Sequence, residues 1–369
     1  MLYHLATYLF DTVGELSFLR LFQYLSVRAI AAALTAFAVT LIFGESFIRI
    51  LYIKGIRDIP RVFSSISTAS KSGTPQMGGL LIILAIFTST LLWCDLLNRF
   101  ALVFFLALIW FTVLGGIDDY RVLKNQNSDR GLSQRIKLFW QVGYSVILGI
   151  IFLTPEISPV TSEISTELYI PFLKSPVINL GWWYLPFIVF VIVAITNSVN
   201  FADGLDGLAI VPVSFAIAVY GIFAYVIGNA IYSDYLQFFY LPGSGELAVI
   251  ASAIFGASLG FLWYNAYPAQ VFMGDVGSMT LGGIIGTMAV LLKQEFLFLI
   301  IGGVFVIEAF SVLIQEKIGI NWLGRRIFYI APIHSAFQHS GVGETKVVIR
   351  FWIIAGILAL IGLSTLKIR

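Results

Sequence analysis

The sequence predicts an all-α integral membrane protein of about ten transmembrane helices. The 369-residue chain is 59% hydrophobic and only 11% charged, with a mean hydropathy of +0.93. Apolar stretches of roughly 20 residues, the length that crosses a bilayer core of about 30 Å, recur along it. Basic residues are concentrated in alternate links between these stretches. These three observations predict a single polytopic membrane domain over residues 1–369.

The apolar stretches follow one another with short links, and only residues 97–100 separate the second from the third. The predicted spans are Phe22–Gly44, Gly78–Leu97, Phe100–Ile117, Leu138–Leu153, Trp182–Asn197, Gly207–Gly228, Leu247–Trp263, Gly277–Leu292, Phe296–Gln315 and Phe351–Leu366.

The basic residues predict the orientation. Five lie in each of the links between spans one and two, three and four, and nine and ten, whereas the links on the other face hold few. Basic links face the cytoplasm, and an even number of spans returns the chain to its starting side. We therefore expect both termini on the outer side, opposite the cytoplasm. In the outer link, two short apolar runs around Lys174-Ser175-Pro176 predict a small extracytoplasmic β-hairpin.

Composition also excludes some classes of function. The net charge of +2 is too small to indicate nucleic-acid binding. Cys94 is the single cysteine, so an intrachain disulfide is excluded, and no Cys/His spacing typical of zinc is present.

Five aspartates lie where predicted spans end, all on the predicted cytoplasmic side. They are Asp118, Asp119, Asp203, Asp206 and Asp275. A carboxylate at a membrane helix centre costs roughly 2.5–3.5 kcal/mol on insertion scales, and acidic groups in such spans are by default functional candidates. Because all five lie on the same predicted side of the membrane, they predict a site for a divalent cation.

Asp118 and Asp119 follow two glycines. Neighbouring residues on a helix point about 100° apart, so both carboxylates face one ligand only if the helix frays. One of them then binds a metal or acts as a base while the other holds a cation. Alternatively, the pair marks a helix end beside Arg121.

Asn197, Asn200, Asp203 and Asp206 are spaced three residues apart, which on a helix gives one polar stripe. Gly204 and Gly207 favour a break in that helix, where backbone approaches a ligand. A polar stripe that leaves an apolar span is not a core feature, so a merely solvated helix end is the weaker interpretation.

Three further segments suit phosphate. Asp275 precedes span eight, near a helix N-terminus, as an N-cap or as part of a phosphate or metal site. Lys71 lies in a glycine-rich link without the P-loop order, which suits a pyrophosphate but also a plain flexible link. Lys137 begins span four, where it either sets topology or holds a lipid phosphate.

His334 follows Pro332 in a cytoplasmic stretch, where it contacts substrate or transfers a proton. Glu308 lies within span nine, and a structural hydrogen-bonding role is the preferred interpretation there.

Carboxylates without Cys or His ligands favour Mg²⁺, with Mn²⁺ as an alternative. A site at the membrane face of a protein with no predicted soluble domain indicates one lipid substrate and one soluble nucleotide. Metal-assisted phosphoryl transfer is the reaction that fits both. The site is expected to use residues 47–77, 118–137, 197–207, 264–277 and 315–350.

The motifs resemble a known family. KSGTPQMGG, GGIDDYR, LSQRIKLFWQ, NSVNFADGLDGLA, FLWYNAYPAQVFMGDVGS and PIH, in this order, resemble the polyprenyl-phosphate N-acetylhexosamine-1-phosphate transferase superfamily. The likeness covers nearly the whole chain and is strongest to the members that act in bacterial peptidoglycan synthesis.

The resemblance implies transfer of phospho-MurNAc-pentapeptide from UDP-MurNAc-pentapeptide to undecaprenyl phosphate, giving lipid I and UMP with Mg²⁺, by a homodimer. It also implies a multi-pass protein of the bacterial cytoplasmic (inner) membrane, with the active site facing the cytoplasm and both termini on the periplasmic side. It implies Asp275 as the metal ligand, Asp118 and Asp119 as the acidic pair, and Asp118 as the base. The residues that it implies for substrate binding are Lys71, Lys137, Asn200, Asp203, Asp206, Phe272 and Gln315. His334 is the one histidine retained where the family has three in a row, because Ser335 and Ala336 follow it.

Three alternatives stay open. A sister enzyme that transfers GlcNAc-1-phosphate to a polyprenyl phosphate shares most of these motifs. A cation-coupled transporter also uses membrane acids, but it usually places them near the midplane. Finally, a covalent two-step mechanism competes with direct attack of the lipid phosphate, which is the preferred interpretation.

Overall fold

The computed structural model describes residues 1–13, 17–57, 73–125 and 131–368, and over these residues the chain is mainly α-helical. The helices are α1 (Leu2–Val13), α2 (Leu25–Ile53), α3 (Gly79–Trp93), α4 (Arg99–Asn125), α5 (Gln134–Leu153), α6 (Tyr184–Ala202), α7 (Ile210–Ile227), α8 (Ala230–Tyr235), α9 (Glu246–Asn265), α10 (Gly274–Leu291), α11 (Leu297–Ile301), α12 (Gly303–Leu313), α13 (Ile333–His339) and α14 (Glu344–Ser364).

Among the described residues, eight helical segments are long and apolar enough to cross a membrane. Each coincides with one of the ten predicted spans, which confirms the helical membrane class. The second predicted span corresponds to α3, which has only 15 residues. The ninth is divided at Gly302 into α11 and α12. The count of ten spans and the outer position of both termini stay predictions.

Helix α10 is the central element of the bundle. Within its most apolar stretch 89% of the residues are buried inside the protein, against 22% for α2. It packs mainly on α4 and α6, while α9 packs between α2 and α7. Because Asp275 lies in the first turn of α10, the burial of this helix places the carboxylate where several helix ends meet.

Helix α4 continues two turns beyond its predicted end at Ile117 and ends at Asn125. Asp118 and Asp119 therefore lie within a regular helix, and no fraying brings them together. Gly115, one turn earlier, allows the close packing of α4 on α10. A Cβ atom at Gly115 would lie 2.4 Å from the backbone oxygen of Asp275.

The predicted hairpin is present between α5 and α6, at the end of the bundle opposite Asp118 and Asp275. Strand β1 (Glu167–Leu168) pairs antiparallel with β2 (Ile178–Asn179), and Glu167 lies opposite Asn179. The turn between the strands contains Lys174, as the sequence predicts.

Candidate active site

Three carboxylates meet where the end of α4 contacts the start of α10. Asp118, Asp119 and Asp275 each offer an oxygen, and these oxygens lie within 4.8 Å of one another. Asp118 and Asp119 are buried, and Asp275 is partly buried. Two distant segments of the sequence thus form one acidic cluster from three of the five aspartates that the sequence singles out; Asp203 and Asp206 are not members of it.

Asp119 holds the first turn of α10. Its Oδ1 accepts a hydrogen bond from the N–H of Asp275 at 3.1 Å, and its Oδ2 accepts one from the N–H of Val276 at 3.0 Å. These N–H groups have no partner within the helix, so the carboxylate caps them. Gly274 makes this approach possible because its φ of +74° favours glycine and its missing Cβ leaves room for Asp119.

Lys137, in the first turn of α5, bridges the other two carboxylates. Its Nζ donates to Oδ2 of Asp118 at 2.7 Å and to Oδ2 of Asp275 at 2.6 Å. Oδ1 of Asp118 accepts the N–H of Leu132 at 2.5 Å. Asp118 therefore holds a lysine, which is the arrangement expected for one member of the acidic pair.

The asparagines of the predicted stripe have different partners. Nδ2 of Asn200 donates to Oδ1 of Asp275 at 3.0 Å and to the Ser278 hydroxyl at 2.8 Å. Asn197 instead pairs with Gln141 on α5, at 2.7 Å between Nδ2 and Oε1. Only Asn200 among these two contacts the acidic cluster.

Asp203 and Asp206 follow the end of α6, where the helix breaks as the glycines predict. Burial, together with the negative charges of Asp275 and Asp206, raises the pKa of Asp203 to about 8. Asp206 is buried, and its Oδ2 accepts the N–H of Ala269 at 3.0 Å. Asp203 thus interacts electrostatically with Asp275 of the cluster. Asp206 stabilises the link before α10 through its hydrogen bond with Ala269.

Phe272 anchors the glycine-rich link through its backbone. Its N–H donates to the oxygen of Pro75, and its oxygen accepts the N–H of Gly78, both at 2.8 Å. This pairing brings the end of the Lys71 link to the start of α10. Lys71 itself lies outside the described residues.

Gln315 lies in the π-helical segment Ile314–Trp322 that extends α12. Its Oε1 accepts the N–H groups of Ile327 and Phe328, and its Nε2 donates to the oxygen of Phe328. In this structure it therefore holds the following loop, and its link to substrate stays a prediction.

His334 is buried and contacts Glu308, not the three carboxylates. Its Nδ1 lies 3.1 Å from Oε2 of Glu308, which is itself fully buried. Its ring packs on Gly204, next to Asp203. From the sequence, Glu308 could be a structural hydrogen-bonding group or part of the site. Its pairing with His334 was not predictable, because the two residues are 26 positions apart and no spacing pattern links them.

The donor set suits a hard divalent cation. All candidate ligands are carboxylate oxygens, which Mg²⁺ prefers. Oxygens bound to one octahedral Mg²⁺ lie about 3 Å apart when adjacent and about 4.2 Å apart when opposite, so oxygens within 4.8 Å of one another would move closer together on binding it. Asp275 and Asp118 are the candidate ligands, because Oδ2 of each is held by the Lys137 ammonium, which a cation can displace. Both oxygens of Asp119 instead accept backbone N–H groups of α10.

The arrangement can bind and neutralise phosphate. It combines a lysine, an amide from Asn200 and carboxylates able to hold a cation at one end of a helical bundle. Such groups position phosphates and offset the charge that develops on phosphate oxygens during transfer.

Residues 101–293 match the sequence profile of glycosyl transferase family 4, and this stretch includes Asp118, Lys137 and Asp275. The chain is 48% identical to the phospho-N-acetylmuramoyl-pentapeptide-transferases of Citrifermentans bemidjiense and Geobacter sp. strain M21, and 46% identical to that of Pelobacter propionicus. Each comparison covers all of this chain and all of the relative. The chain is therefore an enzyme that belongs to the phospho-N-acetylmuramoyl-pentapeptide-transferase family of bacterial phosphoglycosyl transferases.

Proposed function

We propose that this enzyme transfers phospho-MurNAc-pentapeptide from UDP-MurNAc-pentapeptide to undecaprenyl phosphate in a Mg²⁺-dependent reaction, forming lipid I and UMP. The observation that carries the proposal is the bridge from Lys137 to both Asp118 and Asp275, in a chain whose full-length relatives bear the name of this transferase. A lipid acceptor suits a protein with eight membrane-spanning candidates among its described residues.

Direct attack is the simplest chemistry for these residues. An oxygen of the lipid phosphate attacks the β-phosphorus, the bond from that phosphorus to the bridging oxygen breaks, and UMP leaves with the electron pair. Lys137 neutralises the phosphate oxygens, Asn200 orients Asp275, and Asp118 takes the acceptor's remaining proton. When bound, the cation would be held by Asp275 with Asp118 and would add positive charge at the diphosphate.

The contacts of Asp118 favour this route over a covalent intermediate. Its Oδ1 accepts a backbone N–H at 2.5 Å and its Oδ2 accepts the Lys137 ammonium at 2.7 Å. Each of these oxygens keeps a second lone pair, so Asp118 can take up a proton while both bonds persist. Covalent attack on phosphorus would instead require the attacking oxygen to lose its bond.

The same proposal places the site on the cytoplasmic side of the inner membrane, in a homodimer. A UDP-linked substrate is available on the cytoplasmic side of this membrane. The basic residues in alternate links also favour an orientation in which the site faces the cytoplasm.

The test is release of UMP by the purified enzyme from UDP-MurNAc-pentapeptide and undecaprenyl phosphate, with and without Mg²⁺. Lipid I and UMP should form in equal amounts only when the cation is present. UDP-GlcNAc serves as the competing donor. Turnover of UDP-GlcNAc without turnover of the pentapeptide substrate would contradict the proposal.

A further inference from the structure

Glu308, on α12, is a buried acid that lies outside the acidic cluster. Its side chain has no exposed surface, and its two oxygens meet only His334 among the described residues. Oε1 accepts the backbone N–H of His334 at 3.3 Å, and Oε2 faces the ring Nδ1 at 3.1 Å. A carboxylate buried in an apolar helix is costly unless such bonds compensate it.

The two oxygens fix the state of the histidine ring. A carboxylate can only accept hydrogen bonds, so a neutral ring facing Oε2 must carry its proton on Nδ1. Nε2 then presents a lone pair. The backbone N–H on Oε1 fixes the ring's position, since it belongs to the first turn of α13.

Gly204 determines where the lone pair points. A Cβ atom on Gly204 would lie 2.3 Å from Nε2, so the ring nitrogen lies against the chain directly after Asp203. No hydrogen bond to Nε2 occurs among the described residues. The acceptor therefore lies at the broken end of α6, which also carries Asn200 toward Asp275.

We propose that Glu308 is a positioning residue that holds His334 as the Nδ1–H tautomer, so that Nε2 accepts a hydrogen bond from a hydroxyl or N–H group of the nucleotide-sugar substrate. The inference rests on the proposed function for the identity of that substrate. A lone pair at Nε2 repels phosphate oxygens, so the partner is a neutral donor of the sugar, ribose or base and not the diphosphate.

Glu308→Gln is an isosteric test of this arrangement. The backbone N–H of His334 always donates, so the glutamine oxygen stays at the Oε1 position and the NH₂ group turns to Nδ1. An NH₂ facing Nδ1 requires a lone pair there and moves the ring proton to Nε2. The hydrogen bond from the His334 backbone N–H to residue 308 is kept, but Nε2 of His334 no longer accepts a hydrogen bond.

His334→Asn is the matched variant. Its Nδ2 replaces Nδ1 and still donates to Glu308, but nothing replaces Nε2. In the double variant the two amides can still pair, because the asparagine can turn its oxygen toward the glutamine NH₂. The contact between α12 and α13 is thus present in all four proteins of the cycle.

The kinetic experiment is a double-mutant cycle on kcat/KM for the nucleotide-sugar. We expect each single variant to lower it by about 10- to 100-fold, the range found when the hydrogen-bond partner of a metal-ligating histidine is removed. In the His334→Asn background, Glu308→Gln should have no further effect. An equal loss in both backgrounds would show a purely structural role and overturn the proposal.

A spectroscopic readout is independent of turnover. Solid-state NMR of the protein with ¹⁵N-labelled histidine in lipid bilayers reports which ring nitrogen carries the proton, and the His334 signals are those absent from His334→Asn. The chain has only three histidines, which keeps the spectrum simple. The neutral ring should be Nδ1–H in the unaltered enzyme and Nε2–H in Glu308→Gln.

An Nε2–H ring in the unaltered enzyme would overturn the proposal, even if Glu308→Gln failed to fold. A correct tautomer in an enzyme that releases no UMP from UDP-MurNAc-pentapeptide would instead contradict the proposed function and leave the tautomer assignment standing.

Discussion

The ammonium nitrogen of Lys137 lies 2.6 Å from Oδ2 of Asp275. The same nitrogen holds Asp118, so one cation of the protein neutralises both candidate metal ligands. A divalent ion must therefore compete with Lys137 for these oxygens. Once displaced, the ammonium is free to contact a substrate phosphate.

Removing this ammonium should strengthen cation binding while it abolishes transfer. Lys137→Gln leaves Asp118 and Asp275 without their competing positive charge, so we expect Mn²⁺ to bind about 10-fold more tightly, a difference of about 1.4 kcal/mol. Electron paramagnetic resonance of free Mn²⁺ measures this affinity. Lys124→Gln, on the exposed end of α4, is the matched control and should change neither property. Equal or weaker Mn²⁺ binding in Lys137→Gln would show that the lysine does not occupy the cation's place.

Asp119 should matter for stability as well as for activity. In Asp119→Asn one acceptor oxygen becomes an NH₂ group, which leaves one buried N–H of the first turn of α10 unpaired. We expect the free energy of unfolding to fall by about 1–3 kcal/mol. Thermal or denaturant unfolding in detergent measures it, with Asp234→Asn on the exposed surface of α8 as the control. A variant as stable as that control would remove the capping role.

Several of these relationships were predictable from the sequence. Asp118, Asp119 and Asp275 follow or precede apolar spans on one predicted face, and the positive-inside rule brings such helix ends together. The division of roles was not predictable. Asp119 has a different role from Asp118 because Gly115 and Gly274 let α10 approach its side chain. That approach depends on the packing of α4 on α10, which joins Asp119 to Asp275, 156 residues later in the sequence.

The broken ninth span and the Glu308 contact also escaped prediction. Residues 296–315 are apolar apart from Glu308, Ser311, Gln315 and two glycines, and hydropathy alone does not show that the helix is divided at Gly302. The pairing of Glu308 with His334 joins two helices through one contact. Long-range contacts of single residues leave no periodicity in a sequence.

The raised pKa of Asp203 predicts a pH dependence of stability. Its pKa of about 8 in the folded protein exceeds the value of about 3.9 for an unperturbed aspartate. Between these values the folded state binds a proton that the unfolded state lacks, so this group makes stability fall as pH rises from about 4 to about 8. Below and above that window its contribution is constant.

Unfolding of the cation-free protein across this range, compared with Asp203→Asn, isolates the contribution. The stability of the variant relative to the unaltered protein should increase with pH up to about 8 and then level off. Mg²⁺ should reduce the difference, since it neutralises Asp275, one of the charges that raise this pKa. Parallel curves at all pH values would show that Asp203 is ionised throughout.

The central claim is that Asp275, joined by Asp118, holds a divalent cation at the meeting point of α4 and α10. The most direct measurement is Mn²⁺ binding to the purified protein and to Asp275→Asn, with Asp234→Asn as the control. We expect one tightly bound ion per chain in the unaltered and control proteins, which Mg²⁺ displaces. In Asp275→Asn we expect that ion to be lost and transfer to fall by about 1000-fold or more, while the variant stays folded. Undiminished Mn²⁺ binding to Asp275→Asn would contradict the account.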